Sequence, residues 1–92
     1  MIESFAHSGL RRFYEDDDGR RLPPDMLERI GIVLAALDEA HVIEDMNRPS
    51  FRLHKLAGKF KDFWAVTVRA NWRIVFQFRD GRARDVNFVD YH

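Results

Sequence analysis

The chain has 92 residues, 46% hydrophobic and 33% charged, with fifteen Lys/Arg against fifteen Asp/Glu and no cysteine. That length supports one modest core, so a single domain over residues 1–92 is expected, and the lack of cysteine excludes disulfides and thiolate metal sites. No apolar run approaches the ~20 residues of a membrane span, and the opening Met1-Ile2-Glu3-Ser4-Phe5 lacks the basic-then-apolar layout of a signal peptide, so a cytoplasmic protein is expected.

In chain order, Ile2 to Phe5 can supply a marginal strand. Ser8 is expected to cap a short helix with Leu10, Phe13 and Tyr14 on one face. The run Asp16-Asp17-Asp18-Gly19 ends it, since like charges and a glycine disfavour a helix interior, and it reads as a solvated loop. Leu22-Pro23-Pro24-Asp25 opens a second helix: proline gives up no needed N–H in a first turn, and Asp25 complements the positive end of the dipole. Its stripe of Met26, Leu27, Ile30, Val33, Leu34 and Leu37 is core, and it stops near Ala40. Asn47-Arg48-Pro49 marks a boundary.

From Phe51 onward the apolar period becomes that of strands. Phe51 and Leu53 alternate with Arg52 and His54; Trp64, Val66 and Val68 alternate with Ala65, Thr67 and Arg69. Trp72, Ile74, Phe76 and Phe78 alternate with Arg73, Val75, Gln77 and Arg79. Asp80-Gly81 is a hairpin signal, Ala70-Asn71 sits where another tight turn is needed, and a last strand runs from about Arg84 to Val89. The expected fold is α+β, two N-terminal helices packed on one face of a C-terminal antiparallel sheet. The phase puts Trp64 and Trp72 in the core and Arg69, Arg73, Gln77 and Arg79 together on the opposite face. Asp90, Tyr91 and His92 follow directly on the last strand.

Zero net charge hides a strong polarity. Residues 1–47 hold five Arg against eleven acids, whereas residues 48–84 hold ten Lys/Arg against only Asp62 and Asp80. A basic face toward a polyanion is one consequence, and mutual neutralisation of the two halves on folding is the other. The four histidines (7, 41, 54 and 92) lack the spacing of zinc sites, and there is neither a P-loop nor a nucleophile elbow. What remains is a loose set of His54, Lys55, Arg73, Asp90, Tyr91 and His92, with Lys59 and Lys61 nearby. These are the residue types that cut RNA without a metal. Imidazole moves protons near neutral pH, and the guanidinium fork steadies a charged phosphorane.

The stretches "MIESFAHSGLRRFYE", "RLPPDMLERI", "LHKLAG", "NWRIVFQF" and "DYH" resemble the HigB-type toxins, a branch of the RelE/ParE group of bacterial toxin–antitoxin modules, over essentially the whole length. The resemblance implies a RelE-like fold and a ribosome-dependent mRNA endonuclease that needs no metal or other cofactor. A HigA-like helix-turn-helix antitoxin is the implied inhibitor, with the ribosome and mRNA as further partners. By position it implies His92 as the proton-transfer group, with His54 as its partner or as a contact to the 2′-OH. Arg73 would stabilise the phosphorane, Tyr91 would stack or hydrogen-bond near the scissile phosphate, and Asp90 would position the neighbouring imidazole or raise its pKa. Asn71 is the further position the resemblance implies, and the cations of the basic stretch, Lys55, Lys59, Lys61, Arg69 and Arg79, are the expected contacts to RNA or ribosome. Where many relatives have a lysine, this chain has Ala57; Lys59 is the better substitute, since Lys55 points to the other side of its strand from His54. Two other readings stay open: a ParE-like gyrase poison, and a non-cleaving binder of RNA or protein on the same fold.

Overall fold

The structure, a computed structural model, describes residues 1–91. Helix α1 spans Ser8–Asp16. Its N-cap is His7, not Ser8: the His7 Nδ1 accepts the Leu10 N–H at 3.1 Å, so an imidazole takes the place of the expected hydroxyl. Ser8 is the first helical residue, and its Oγ accepts from the Arg21 guanidinium at 3.3 Å. The acidic run does more than reach into solvent. Asp17 adopts a left-handed φ of 55°, and the Asp17 and Asp18 N–H groups return to the Phe13 and Arg12 carbonyls. Asp18 then accepts both Nε and Nη2 of Arg20, each at 2.9 Å, which holds its carboxyl well below the usual carboxylate range.

A 3₁₀ turn, Pro24–Met26, leads into helix α2, Leu27–Glu39. Ile30, Val33, Leu34, Ala36 and Leu37 are its buried stripe. Two more 3₁₀ turns follow, Ile43–Met46 and Pro49–Phe51. Asp45 steadies the first by accepting the His41 and Val42 N–H groups, which lowers its pKa.

The sheet is a four-stranded antiparallel meander in the order β1-β2-β3-β4. Strand β1 is only His54–Lys55; β2 is Trp64–Arg69, β3 is Trp72–Arg79 and β4 is Arg82–Asp90. The strand expected from Phe51 is shortened because Phe51 closes a 3₁₀ turn and Arg52 takes φ 50°. Asp80 and Gly81 both have positive φ, the requirement of a tight turn whose twist matches its strands. Ile2 and Phe5 make only isolated parallel bridges, to Ala83 and Val86.

One buried cluster joins Leu10 of α1 and the α2 stripe to Val66, Val68, Ile74, Phe76, Ala83, Val86 and Phe88 of the sheet, with Trp64 and Trp72 against its margin. Trp72 stacks on Phe88 with centroids 4.7 Å apart. The opposite face of the sheet is not purely polar. Leu56, Ala65 and Val75 are buried there as a second cluster, flanked by Phe63 and Val89.

Candidate active site

The register orders this second face in rows. His54, Ala65, Val75 and Asn87 lie level across four strands, and Thr67, Arg73 and Val89 form the next row. One step further, Tyr91 donates its backbone N–H to the Asn71 carbonyl at 2.7 Å, extending the ladder past β4. His54 and Arg73 therefore share a face, two strands apart (roughly 10 Å) and offset by two residues (roughly 7 Å).

On the same face, over Val75 and Val89, opens a cavity of about 410 Å³. Its floor is apolar: Leu56, Phe60, Phe63, Val75 and Val89. Asp85 and Asn87 border it, and Asp90 and Tyr91 close one end. Phe60 and Phe63 meet edge-on, centroids 6.0 Å apart, as part of the irregular chain around the 3₁₀ turn Gly58–Phe60. Sequence reading missed this floor. Its signal was Val75, an apolar residue in the polar phase of β3, with Leu56, Phe60 and Phe63 spaced along the preceding loop.

Local contacts set the chemistry of two side chains. The His54 ring nitrogen Nδ1 lies 3.1 Å from the Arg52 carbonyl. A carbonyl only accepts, so Nδ1 carries the hydrogen and neutral His54 presents Nε2 as a base. Arg73 folds back on the β2–β3 turn, Nη1 donating to the Ala70 and Trp72 carbonyls, while its Nε is buried with no hydrogen-bond partner among the described residues. With Nη1 committed and Nε buried, Nη2 is the donor left to meet an anion.

The other sequence-derived candidates divide. Asn71 sits in the β2–β3 turn beside the Tyr91 backbone. Lys59 lies 5.3 Å over the Phe60 ring at the cavity margin, and Lys61 is exposed just after it. Lys55, opposite Trp64 in register, lies 5.5 Å over that indole and faces away from His54. Arg79 shares a groove with Lys55 at the far end of β3, six residues or roughly 20 Å from Arg73. Arg69 departs from the expected face. A register shift between Thr67 and Arg69 sets it opposite Trp72, and its guanidinium pairs with Asp25. The bulge inserts one residue, and one residue is enough to change sides. His92 lies outside the described residues, as does any contact it makes.

Neutralisation of the two halves is partial. Arg69, Arg82 and Arg84 of the basic stretch find acids in Asp25 and Glu3. Arg48, Arg52, Lys55, Lys59, Lys61, Arg73 and Arg79 have no ion pair among the described residues. No helix is long and apolar enough to cross a membrane among those residues.

Residues 3–92 match the model of a family described as the RelE-like toxin of the type II toxin–antitoxin system HigB. The chain is 44% identical to a Proteus vulgaris protein named Endoribonuclease HigB, over the full length of both. It is 33% identical to Toxin HigB-1 of Vibrio cholerae serotype O1, covering all of this chain and 98% of that one. Among solved structures, the YoeB-YefM complex from Staphylococcus aureus gives a TM-score of 0.64 at 15% identity, covering 100% of this chain and 95% of the other. A YafQ mutant from E. coli gives 0.63 at 14% identity, with 98% and 91% covered; both likenesses are of fold. The chain belongs to the HigB-like family of RelE-like toxins of type II toxin–antitoxin systems.

Proposed function

We propose that this toxin, acting as one domain over residues 1–92, is an endoribonuclease that cuts mRNA on the ribosome without a metal and thereby stops translation. What carries the reading is an apolar cavity closed by Asp90 and Tyr91 on the sheet face that His54 and Arg73 share, in a chain 44% identical to a protein named as an endoribonuclease. Single-stranded RNA is recognised through unstacked bases and its backbone. An apolar floor with polar edges offers a base a place to lie, and the cations around it meet the phosphate.

In the proposed reaction the ribose 2′-oxygen attacks the adjacent phosphorus, and the bond to the 5′-oxygen breaks. The 2′-OH gives up its proton and the departing 5′-oxygen gains one. His92 takes the main proton transfer, and His54 is its partner through Nε2. Arg73 stabilises the phosphorane charge with the donors its turn contacts leave over. Tyr91 stacks or hydrogen-bonds beside the scissile phosphate, and Asp90 orients the adjacent imidazole. Asn71, Lys59 and Lys61 support the RNA near the cavity; Lys55 and Arg79 are further contacts to RNA or ribosome. Lys59 stands in for the lysine that Ala57 replaces. The antitoxin is HigA-like, with a helix-turn-helix fold, and holds the toxin off the ribosome.

Primer extension on a defined mRNA, with and without translating ribosomes, tests this. Cuts are expected only with ribosomes, in chelator-free buffers of matched magnesium, and are lost in His92→Ala and Arg73→Ala. Cleavage that persists in both variants, or none under any condition, refutes the reading.

A further inference from the structure

Residues 47–61, NRPSFRLHKLAGKFK, carry five cations and no acid. Two of those cations, Arg48 and Arg52, belong to none of the contacts assigned above. They bracket the 3₁₀ turn Pro49–Phe51, both are exposed, and Phe51 between them is 1% exposed.

The Arg48 guanidinium lies 5.1 Å from the Phe51 ring centroid, and that of Arg29 lies 5.0 Å from the same centroid. Arg29 is committed elsewhere, since it donates to Ser50 Oγ, the Ser50 carbonyl and the Thr67 carbonyl. The Arg48 and Arg52 side chains have neither a hydrogen bond nor an ion pair among the described residues. Two guanidinium groups therefore share one buried ring with no ion pair among the described residues to offset their repulsion. A ring beneath Arg48 limits its rotamers, so less freedom is lost when its fork closes on a partner. Arg52 is tied to the candidate site through its backbone, because its carbonyl is the acceptor that fixes the His54 tautomer.

We propose that Arg48 and Arg52 form a phosphate clamp for an RNA strand, seating its backbone on the sheet edge beside His54. The inference rests on the proposed ribonuclease reading and extends it to residues outside the cavity. RNA is favoured over an acidic protein segment because the clamp leads directly to the imidazole that must meet a ribose. A planar fork preset on an aromatic face also suits bidentate contact with phosphate oxygens.

The test is fluorescence anisotropy of the intact toxin with a labelled 2′-O-methyl RNA oligonucleotide, which lacks the attacking hydroxyl, across a salt series. For single strands each phosphate contact contributes about 0.7 to the slope of log K against log salt. Arg48→Ala/Arg52→Ala is expected to weaken binding and reduce that slope by about 1.4, and Arg48→Lys/Arg52→Lys is expected to restore the slope. An unchanged slope in the double alanine variant overturns the proposal, as does wild-type toxin that fails to bind at low salt. Loss of binding to a poly-glutamate peptide with an unchanged RNA slope also overturns it and assigns the surface to an acidic protein. His54→Ala separates the two readings: cleavage lost with the salt slope intact shows that the clamp works independently of the chemistry. A reduced slope in the double alanine variant, from a toxin that cuts no mRNA, upholds the clamp and refutes the ribonuclease.

Discussion

Replacing His7 removes a helix cap and an aromatic contact at once. Its Nδ1 accepts the Leu10 N–H at 3.1 Å, and losing an N-cap costs about 1 kcal/mol. Its ring meets Phe88 edge-on at 6.0 Å, and such pairs contribute about 0.5–1.5 kcal/mol. His7→Ala should therefore cost about 2 kcal/mol. At about 4–8 °C per kcal/mol for a domain of this size, the melting temperature should fall by roughly 8–16 °C. His7→Asn supplies a side-chain oxygen to the same N–H but no ring, so it should recover about half.

Burial also pushes the His7 pKa below its ordinary 6.5, and only the neutral ring can accept from Leu10. Because the folded pKa is the lower one, this stability is fully present above about pH 6.5 and drains away as pH falls toward the folded value. The depressed carboxyls of Asp18 and Asp45 start from an ordinary 3.8, so they act at lower pH. Thermal melts by circular dichroism between about pH 7.5 and 5 read the effect. Wild type should lose melting temperature across that window, and His7→Asn should lose much less. A His7→Asn slope equal to wild type, or His7→Ala melting within about 2 °C of it, would refute the assignment of the cap.

Three further expectations rest on separate features. Arg73→Ala should lower the single-turnover rate of ribosome-bound mRNA cleavage by about 10²–10³-fold, the usual cost of a lost charge-stabilising donor; Arg73→Lys should recover only part, and an unchanged rate refutes the role. Tyr14 donates its hydroxyl to Asp38 Oδ1 at 2.7 Å and has its pKa pushed up to about 12. In Tyr91→Phe, where Tyr14 is the remaining tyrosine, phenolate absorbance should rise with a midpoint near that value, and adding Asp38→Asn should move it toward 10.0. Ala70 holds φ 51° in the β2–β3 turn, so Ala70→Gly should stabilise the fold by about 0.5–1 kcal/mol in urea titration, relief of the left-handed strain exceeding the added chain entropy; a lower midpoint would show that the turn does not carry that strain.

Periodicity carried furthest where burial is one-sided and regular. The α2 stripe, the alternation of β3 and the Asp80-Gly81 turn were all legible because each rests on local spacing. The deviations come from single backbone events. One left-handed residue, Arg52, delays the first strand, and one inserted residue in β2 sends Arg69 to the helix side. Neither leaves a mark in hydrophobic spacing. The His7 cap was missed because a serine with the customary chemistry stood next to it. In the candidate site, alternation along the strands put Arg73 on the face away from the helices and His54 out of phase with the apolar Phe51 and Leu53. The apolar cavity could not be read that way, because Leu56, Phe60 and Phe63 come from an irregular segment that only tertiary contact brings over Val75 and Val89.

The brevity of β1 has a further consequence. Two residues of partner leave most of β2 along that side without a neighbouring strand, and such open backbone is a template for another chain. Arg29 donates to the Thr67 carbonyl and to Ser50 across the gap. A charged side chain thus occupies an acceptor that an incoming strand would need, and it ties that acceptor to the neighbouring turn. The same guanidinium that lies against the Phe51 ring is placed to work against edge-to-edge aggregation of the sheet.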